Sequence, residues 1–146
     1  GVFTISQIGK MKQIIKMQYY ITACSNDAMQ YAVLAAMEHA ADYPDLIAKE
    51  FQQRCDLIVG RLNAMPGVEC HKPKGAIYVF PKVHLEGMNS EEIALELLKD
   101  GVLCSPGSAF GPSGEGHLRF AYTISKEDIQ LGMDKVEKSL RRLNGL

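Results

Sequence analysis

Along the first half of this chain apolar positions recur at helical spacing, and after residue 67 the period shortens to that of strands. Met11, Ile14 and Ile15, with Gln18, follow one helix face within residues 10–23. Asn26 or Asp27 supplies the side-chain oxygen that a helix start needs, ahead of Met29, Ala32 and Ala36, so a second helix is predicted to about His39. Pro44 suits the first turn of a third helix, where its missing N–H would be unpaired in any case. Ile47, Phe51, Cys55, Ile58, Leu62 and Met65 form its stripe, and Pro66-Gly67 stops it.

Residues 68–72 and 76–83 are rich in strand formers, and Lys74-Gly75 between them predicts a hairpin turn. Asn89-Ser90-Glu91-Glu92 is a helix start, Ile93, Leu97 and Leu98 give that helix an apolar face, and Gly101 closes it. Val102-Leu103-Cys104 and residues 118–123 predict two further strands. Ser125-Lys126-Glu127-Asp128 reads as a capping-box start for a last helix bearing Ile129, Met133, Val136, Leu140 and Leu143 on one side. The order is helices, hairpin, helix, two strands, helix. Its economical packing is α+β: a small, mainly antiparallel or mixed sheet with helices on one face. The opening helices precede the sheet and are not interleaved with it, which assigns them to the packing of a neighbouring domain.

Composition narrows the class without naming a function. The chain has 146 residues, 47% hydrophobic and 23% charged, with a formal net charge of -1, as in ordinary globular domains. No long stretch is basic, which argues against a nucleic-acid partner, and no apolar run is long enough to span a bilayer. Gly1-Val2-Phe3-Thr4 lacks the basic start and long apolar stretch of a secretory signal. A chain opening on glycine is expected to be a processed or excised piece of something longer. The four cysteines (Cys24, Cys55, Cys70 and Cys104) form no Cys-x-x-Cys pair, and a reducing cytoplasm is the simple expectation. Cys70, His71 and Cys104 are the zinc candidates, but their spacing is wrong for structural zinc sites, so no metal is expected.

The chemistry concentrates in one stretch. Ser105-Pro106-Gly107-Ser108-Ala109-Phe110-Gly111, continuing through Gly114-Glu115-Gly116-His117-Leu118-Arg119-Phe120-Ala121-Tyr122, sets glycines and a proline around one arginine. Side chains alternate across a strand. Leu118, Phe120 and Tyr122 therefore share the core-facing side, and His117, Arg119 and Ala121 the other. A guanidinium beside small Ala121 leaves room for an anion, and its planar fork matches a carboxylate with two parallel hydrogen bonds. Spacing alone leaves a second reading open, in which Arg119 pairs with an internal Asp or Glu. The glycines form neither a phosphate-binding Gly-x-x-x-x-Gly-Lys-Ser/Thr loop nor a Gly-x-Gly-x-x-Gly helix start, and the nucleophile elbow Gly-x-Ser-x-Gly is absent too.

This loop-plus-arginine stretch resembles the C-terminal signature of class I/II aminotransferases, pyridoxal-phosphate enzymes of the aspartate aminotransferase fold. Lys74-Gly75-Ala76-Ile77-Tyr78-Val79-Phe80-Pro81 is similar to the family's hairpin before its small-domain helix. Gln18 to Gln30, with Cys24-Ser25-Asn26, resembles the helix junction after the cofactor lysine. The resemblance implies that Arg119 binds the α-carboxylate of an amino-acid substrate and that Ala76 and Tyr78 lie on the small-domain side of the substrate cleft. It implies that the region from Tyr19 to Asn26 lies near a subunit interface. By the bare residues, Tyr78 is equally a plain sheet residue, Asn26 a helix cap and His117 a strand-end residue at the loop edge.

The resemblance further implies residues 1–41 as helices leading from a large domain and residues 42–146 as the small domain. The implied reaction moves an amino group from an amino acid to a 2-oxo acid, in a cytoplasmic homodimer with pyridoxal phosphate as cofactor. That chemistry needs a Schiff-base lysine, in a Ser-x-x-Lys context before a Gly-Trp-Arg-like segment, which this chain does not contain. Ser125-Lys126, its one Ser-Lys pair, follows Arg119 in the chain, which is the wrong place. No catalytic, cofactor-binding or metal residue is therefore assigned. Arg119 is the one substrate-binding candidate, and the 146 residues alone are expected to be inactive and to bind no cofactor. Two alternatives share the signature's context: an aminotransferase-like effector domain of a bacterial transcription regulator, and another enzyme of the same fold type, a decarboxylase or carbon–sulfur lyase.

Overall fold

The computed structural model describes residues 8–145, so Gly1-Val2-Phe3-Thr4 and the question of a signal lie outside the described residues. The chain divides into two compact units, Gly1–Pro44 and Asp45–Leu146. The first holds α1 (Ile8–Thr22) and α2 (Asp27–His39). Asn26 caps α2 by accepting the Met29 N–H at 3.3 Å, and α2 buries no residue.

The second unit holds nearly all of α3 (Tyr43–Asn63), with β1 (Val68–Glu69), β2 (Tyr78–Val79), β3 (Lys82–Val83), α4 (Ser90–Lys99), β4 (Ser105–Pro106), β5 (Leu118–Ala121) and α5 (Lys126–Leu143). Every strand pair is antiparallel: β1 with β3, and β2 and β4 on either side of β5. The arrangement is α+β, as the apolar pattern predicts. The alternating run of β5 buries Leu118, Phe120 and Tyr122 in one cluster with Cys55, Ile58 and Leu62 of α3, Ile93 and Leu97 of α4, and Ile129, Met133, Val136 and Leu140 of α5. Burying side chains of this size stabilises by about 1.5–3 kcal/mol each. That fixes the register, because a one-residue slip would drive Arg119 into the core and turn Leu118 and Phe120 outward.

Three local expectations are corrected. Lys74-Gly75 is not a tight hairpin turn. Val68 lies opposite Val83, so the two runs pair at their far ends and not across Lys74-Gly75, and the left-handed residue near that point is Ala76 (φ 65°) rather than Gly75. Residues 76–83 are not one strand but β2 and β3. The register alongside β5 is nonetheless unbroken, with Tyr78 opposite Ala121, Val79 opposite Phe120 and Lys82 opposite His117. What Pro81 interrupts is the hydrogen-bond ladder: its carbonyl accepts the Leu118 N–H at 3.0 Å, but it has no N–H to return. Val102-Leu103-Cys104 is not a strand. The Gly101 N–H donates to the Leu98 carbonyl and the Val102 N–H to that of Leu97, a double closure of α4 around left-handed Gly101 (φ 81°). Pairing with β5 starts only at Ser105.

Candidate functional site

β5 is the middle strand of its sheet, so Arg119 receives neighbours from both sides. Ser105 of β4 lies directly opposite, and the Arg119 Nη2 donates to its Oγ at 3.3 Å. Tyr78 of β2 lies opposite Ala121, which makes it the diagonal neighbour of Arg119 on the same face, within reach of a long side chain. The guanidinium carbon stands 4.6 Å from the Tyr78 ring centre. Phe110, from the 3-10 turn Gly107–Phe110 that follows β4, brings a second ring to 4.5 Å. Arg119 is half-buried and, among the described residues, makes no ion pair with a carboxylate.

The loop between β4 and β5 is built on a backbone crossing at Gly107 and Gly114. A Cβ on Gly114 would stand 2.1 Å from the Gly107 oxygen, and one on Gly107 would stand 2.0 Å from the Gly114 oxygen. Both positions must be glycine for the two segments to meet. Glu115 then ties the loop to the start of α4. Its carboxylate accepts the Ser90 N–H (2.6 Å), the Ser90 hydroxyl (3.1 Å) and the Gly116 N–H (2.9 Å), and the Ser90 Oγ accepts the Ser108 N–H (3.3 Å). A carboxylate at a helix N-terminus also meets the positive end of the helix dipole. The Ser90 N–H, followed by the Gly116 N–H, holds the Glu115 carboxyl below its ordinary value.

Of the other residues the sequence raises, Ala76 is exposed and its carbonyl accepts the Tyr122 hydroxyl at 2.8 Å. Burial pushes the Tyr122 phenol up to about 12. His117 stacks on Phe80, with ring centres 5.0 Å apart, rather than on Arg119. Asn26 acts as a helix cap. Among the described residues no three His, Cys, Asp or Glu side chains are grouped to hold a metal ion, and no helix is long and apolar enough to cross a membrane. Ser105, Phe110, Ser90 and Glu115 carry no individual signal in the sequence. Ser105 and Phe110 stand inside the glycine-rich segment, but only the β4–β5 register brings them to Arg119.

Pyridoxal phosphate requires a lysine amine. Ser125 caps α5, accepting the Asp128 N–H at 3.0 Å, and the Lys126 ammonium lies 3.5 Å from Glu50 of α3. The described neighbours of Arg119 are a serine and two aromatic rings. Among the described side chains that meet Arg119, none is the lysine amine that this cofactor requires.

No protein-family model matches the chain. It is 35% identical over 141 residues to aspartate aminotransferase of Pyrococcus horikoshii, which covers 94% of this chain and 36% of that protein. It is 34% identical over 134 residues to aromatic-amino-acid aminotransferase 2 of Thermococcus litoralis, covering 90% of this chain and 34% of the other. Among solved structures, alanine aminotransferase from Pyrococcus furiosus matches with a TM-score of 0.84 at 32% identity, over 94% of this chain and 35% of that one. The chain spans about a third of the length of the curated relatives it matches. By sequence and by fold, this chain is similar to about a third of the length of aminotransferases of the aspartate aminotransferase fold.

Proposed function

We propose that this chain is the small-domain portion of a pyridoxal-phosphate-dependent aminotransferase that moves an amino group from an amino acid to a 2-oxo acid. In this reading Arg119 binds the α-carboxylate shared by both substrates. Residues 1–41 are helices leading from the large domain and residues 42–146 the small domain. A homodimer in the cytoplasm is part of the same proposal, and four unpaired thiols favour that compartment. The observation that carries the reading is Arg119 on the face of β5 opposite the core, its guanidinium met by Ser105, Tyr78 and Phe110. An arginine so held presents a planar fork to a carboxylate. A substrate fixed at its carboxylate has its α-carbon at a set distance and orientation, which is the positional part of catalysis.

The 146-residue chain alone is expected to bind no pyridoxal phosphate and to transfer no amino group. A visible absorption band from bound cofactor in the purified chain would overturn that. In a protein that includes the large domain, Arg119→Ala should lower kcat/KM across amino-acid donors by on the order of 10²-fold or more, since losing one partner of a desolvated charge pair costs about 2–5 kcal/mol. An unchanged kcat/KM would remove the carboxylate role.

A further inference from the structure

Arginine is a long side chain with many rotamers to lose when it is held in one place. On an open sheet face it would sample several positions, and a carboxylate arriving there would have to order it. Arg119 instead lies against two rings, at 4.6 Å and 4.5 Å, that come from different elements. Both rings are themselves fixed. Tyr78 is set by the β2–β5 ladder, with small Ala121 opposite it. Phe110 meets Phe80 edge to face, with ring centres 5.9 Å apart and planes at 84°, and Phe80 stacks on His117. Yet Tyr78 is 40% and Phe110 51% exposed, so core packing does not account for their size. Ring contacts engage the face of a guanidinium. They leave its N–H donors along the edge, and among the described residues only the Nη2 bond to Ser105, at 3.3 Å, draws on these.

We propose that Tyr78 and Phe110 are positioning residues for Arg119, and that through them this chain carries a preorganised site for a small organic carboxylate without any cofactor. The proposal rests on the reading of Arg119 as the carboxylate site. The rings lower the ordering cost of binding and exclude water from the guanidinium face, while the exposed edge meets the ligand. The Tyr78 hydroxyl has no part in this, because the contact is with the ring.

The test is a titration of the 146-residue chain with pyruvate, following the Arg119 Nε–H resonance by NMR, with far-UV circular dichroism confirming the fold of each variant. Wild type should show a saturable shift at Arg119, absent in a titration with lactamide, which has no carboxylate. Tyr78→Ala and Phe110→Ala should each weaken binding by about two- to fivefold, the range expected for one exposed cation–ring contact. Tyr78→Phe should bind as wild type does, which a role for the hydroxyl would not allow. If both alanine variants bind pyruvate as tightly as wild type, the positioning role is wrong and the carboxylate reading stands. If wild type shows no Arg119-centred shift, the preorganised site is wrong, and Arg119→Ala kinetics in the large-domain-containing protein then decide the parent reading separately.

Discussion

Gly114→Ala is the sharpest test of how the loop holds Arg119. The added Cβ would lie 2.1 Å from the Gly107 oxygen and 2.7 Å from its carbonyl carbon, where real Cβ contacts essentially never fall below 3.0 Å. The obstruction is backbone on both sides, so no side chain can rotate away. One segment must retreat by about 1 Å, a distance that close-packed interiors do not absorb freely. The Gly107 N–H now donates to the His117 carbonyl at 2.8 Å, and a retreat of that size breaks the bond. Overpacking costs about 1–3 kcal/mol and the lost hydrogen bond about 0.5–1.5 kcal/mol, so a loss of roughly 2–4 kcal/mol is expected. Urea unfolding of the 146-residue chain, monitored by circular dichroism, measures it. Gly60→Ala is the control: the same atom is added inside α3 with nothing within 4 Å, and it should stabilise by about 0.5–1 kcal/mol. Because Gly107 directly follows β4, the Arg119 Nε–H resonance should also move in Gly114→Ala. A Gly114→Ala chain within about 0.5 kcal/mol of wild type would refute the account of the crossing.

Two more outcomes follow from the same loops. Ala76 holds φ 65°, which costs an L-residue about 1–2 kcal/mol, so Ala76→Gly should raise the unfolding free energy by up to about 1 kcal/mol after the extra unfolded-state entropy of glycine; a lower unfolding free energy in urea would contradict the strain. Glu115 is held below its ordinary 4.5 in the folded state, so its contribution is whole above the unfolded value and disappears as pH falls through the folded one. Stability should therefore fall more steeply below about pH 4.5 in wild type than in Glu115→Gln, and parallel acid-unfolding curves would remove the anchoring role.

The helices were legible because their signals are local. The helix start at Asn89–Glu92, the Gly101 stop and the Ser125 cap each need only residues a few positions apart, and the structure has all three; the reciprocal capping box, however, forms at Asn89 and Glu92, whereas at the expected place the Asp128 carboxylate accepts the Ser125 hydroxyl instead. The burial of β5 was legible for a related reason: alternation alone separates Leu118, Phe120 and Tyr122 from Arg119. The strands between residues 68 and 83 were not. Strand propensity marks residues that fit a pleated surface but says nothing about which partner supplies it, and one proline divides a run that composition reads as continuous.

The order of residues alone places Arg119 on the face away from the core and leads a glycine-rich loop into its strand. Periodicity and glycine content are properties of neighbours in the chain, and they survive without knowledge of the fold. The company Arg119 keeps was decided only by tertiary structure. Ser105 faces it because β4 pairs in one register, Tyr78 lies diagonal to it because β2 pairs in another, and Phe110 reaches it because Gly107 and Gly114 let two backbones meet. Each of these is set by contacts between residues distant in sequence, and burial of the opposite face of β5 locks both registers at once.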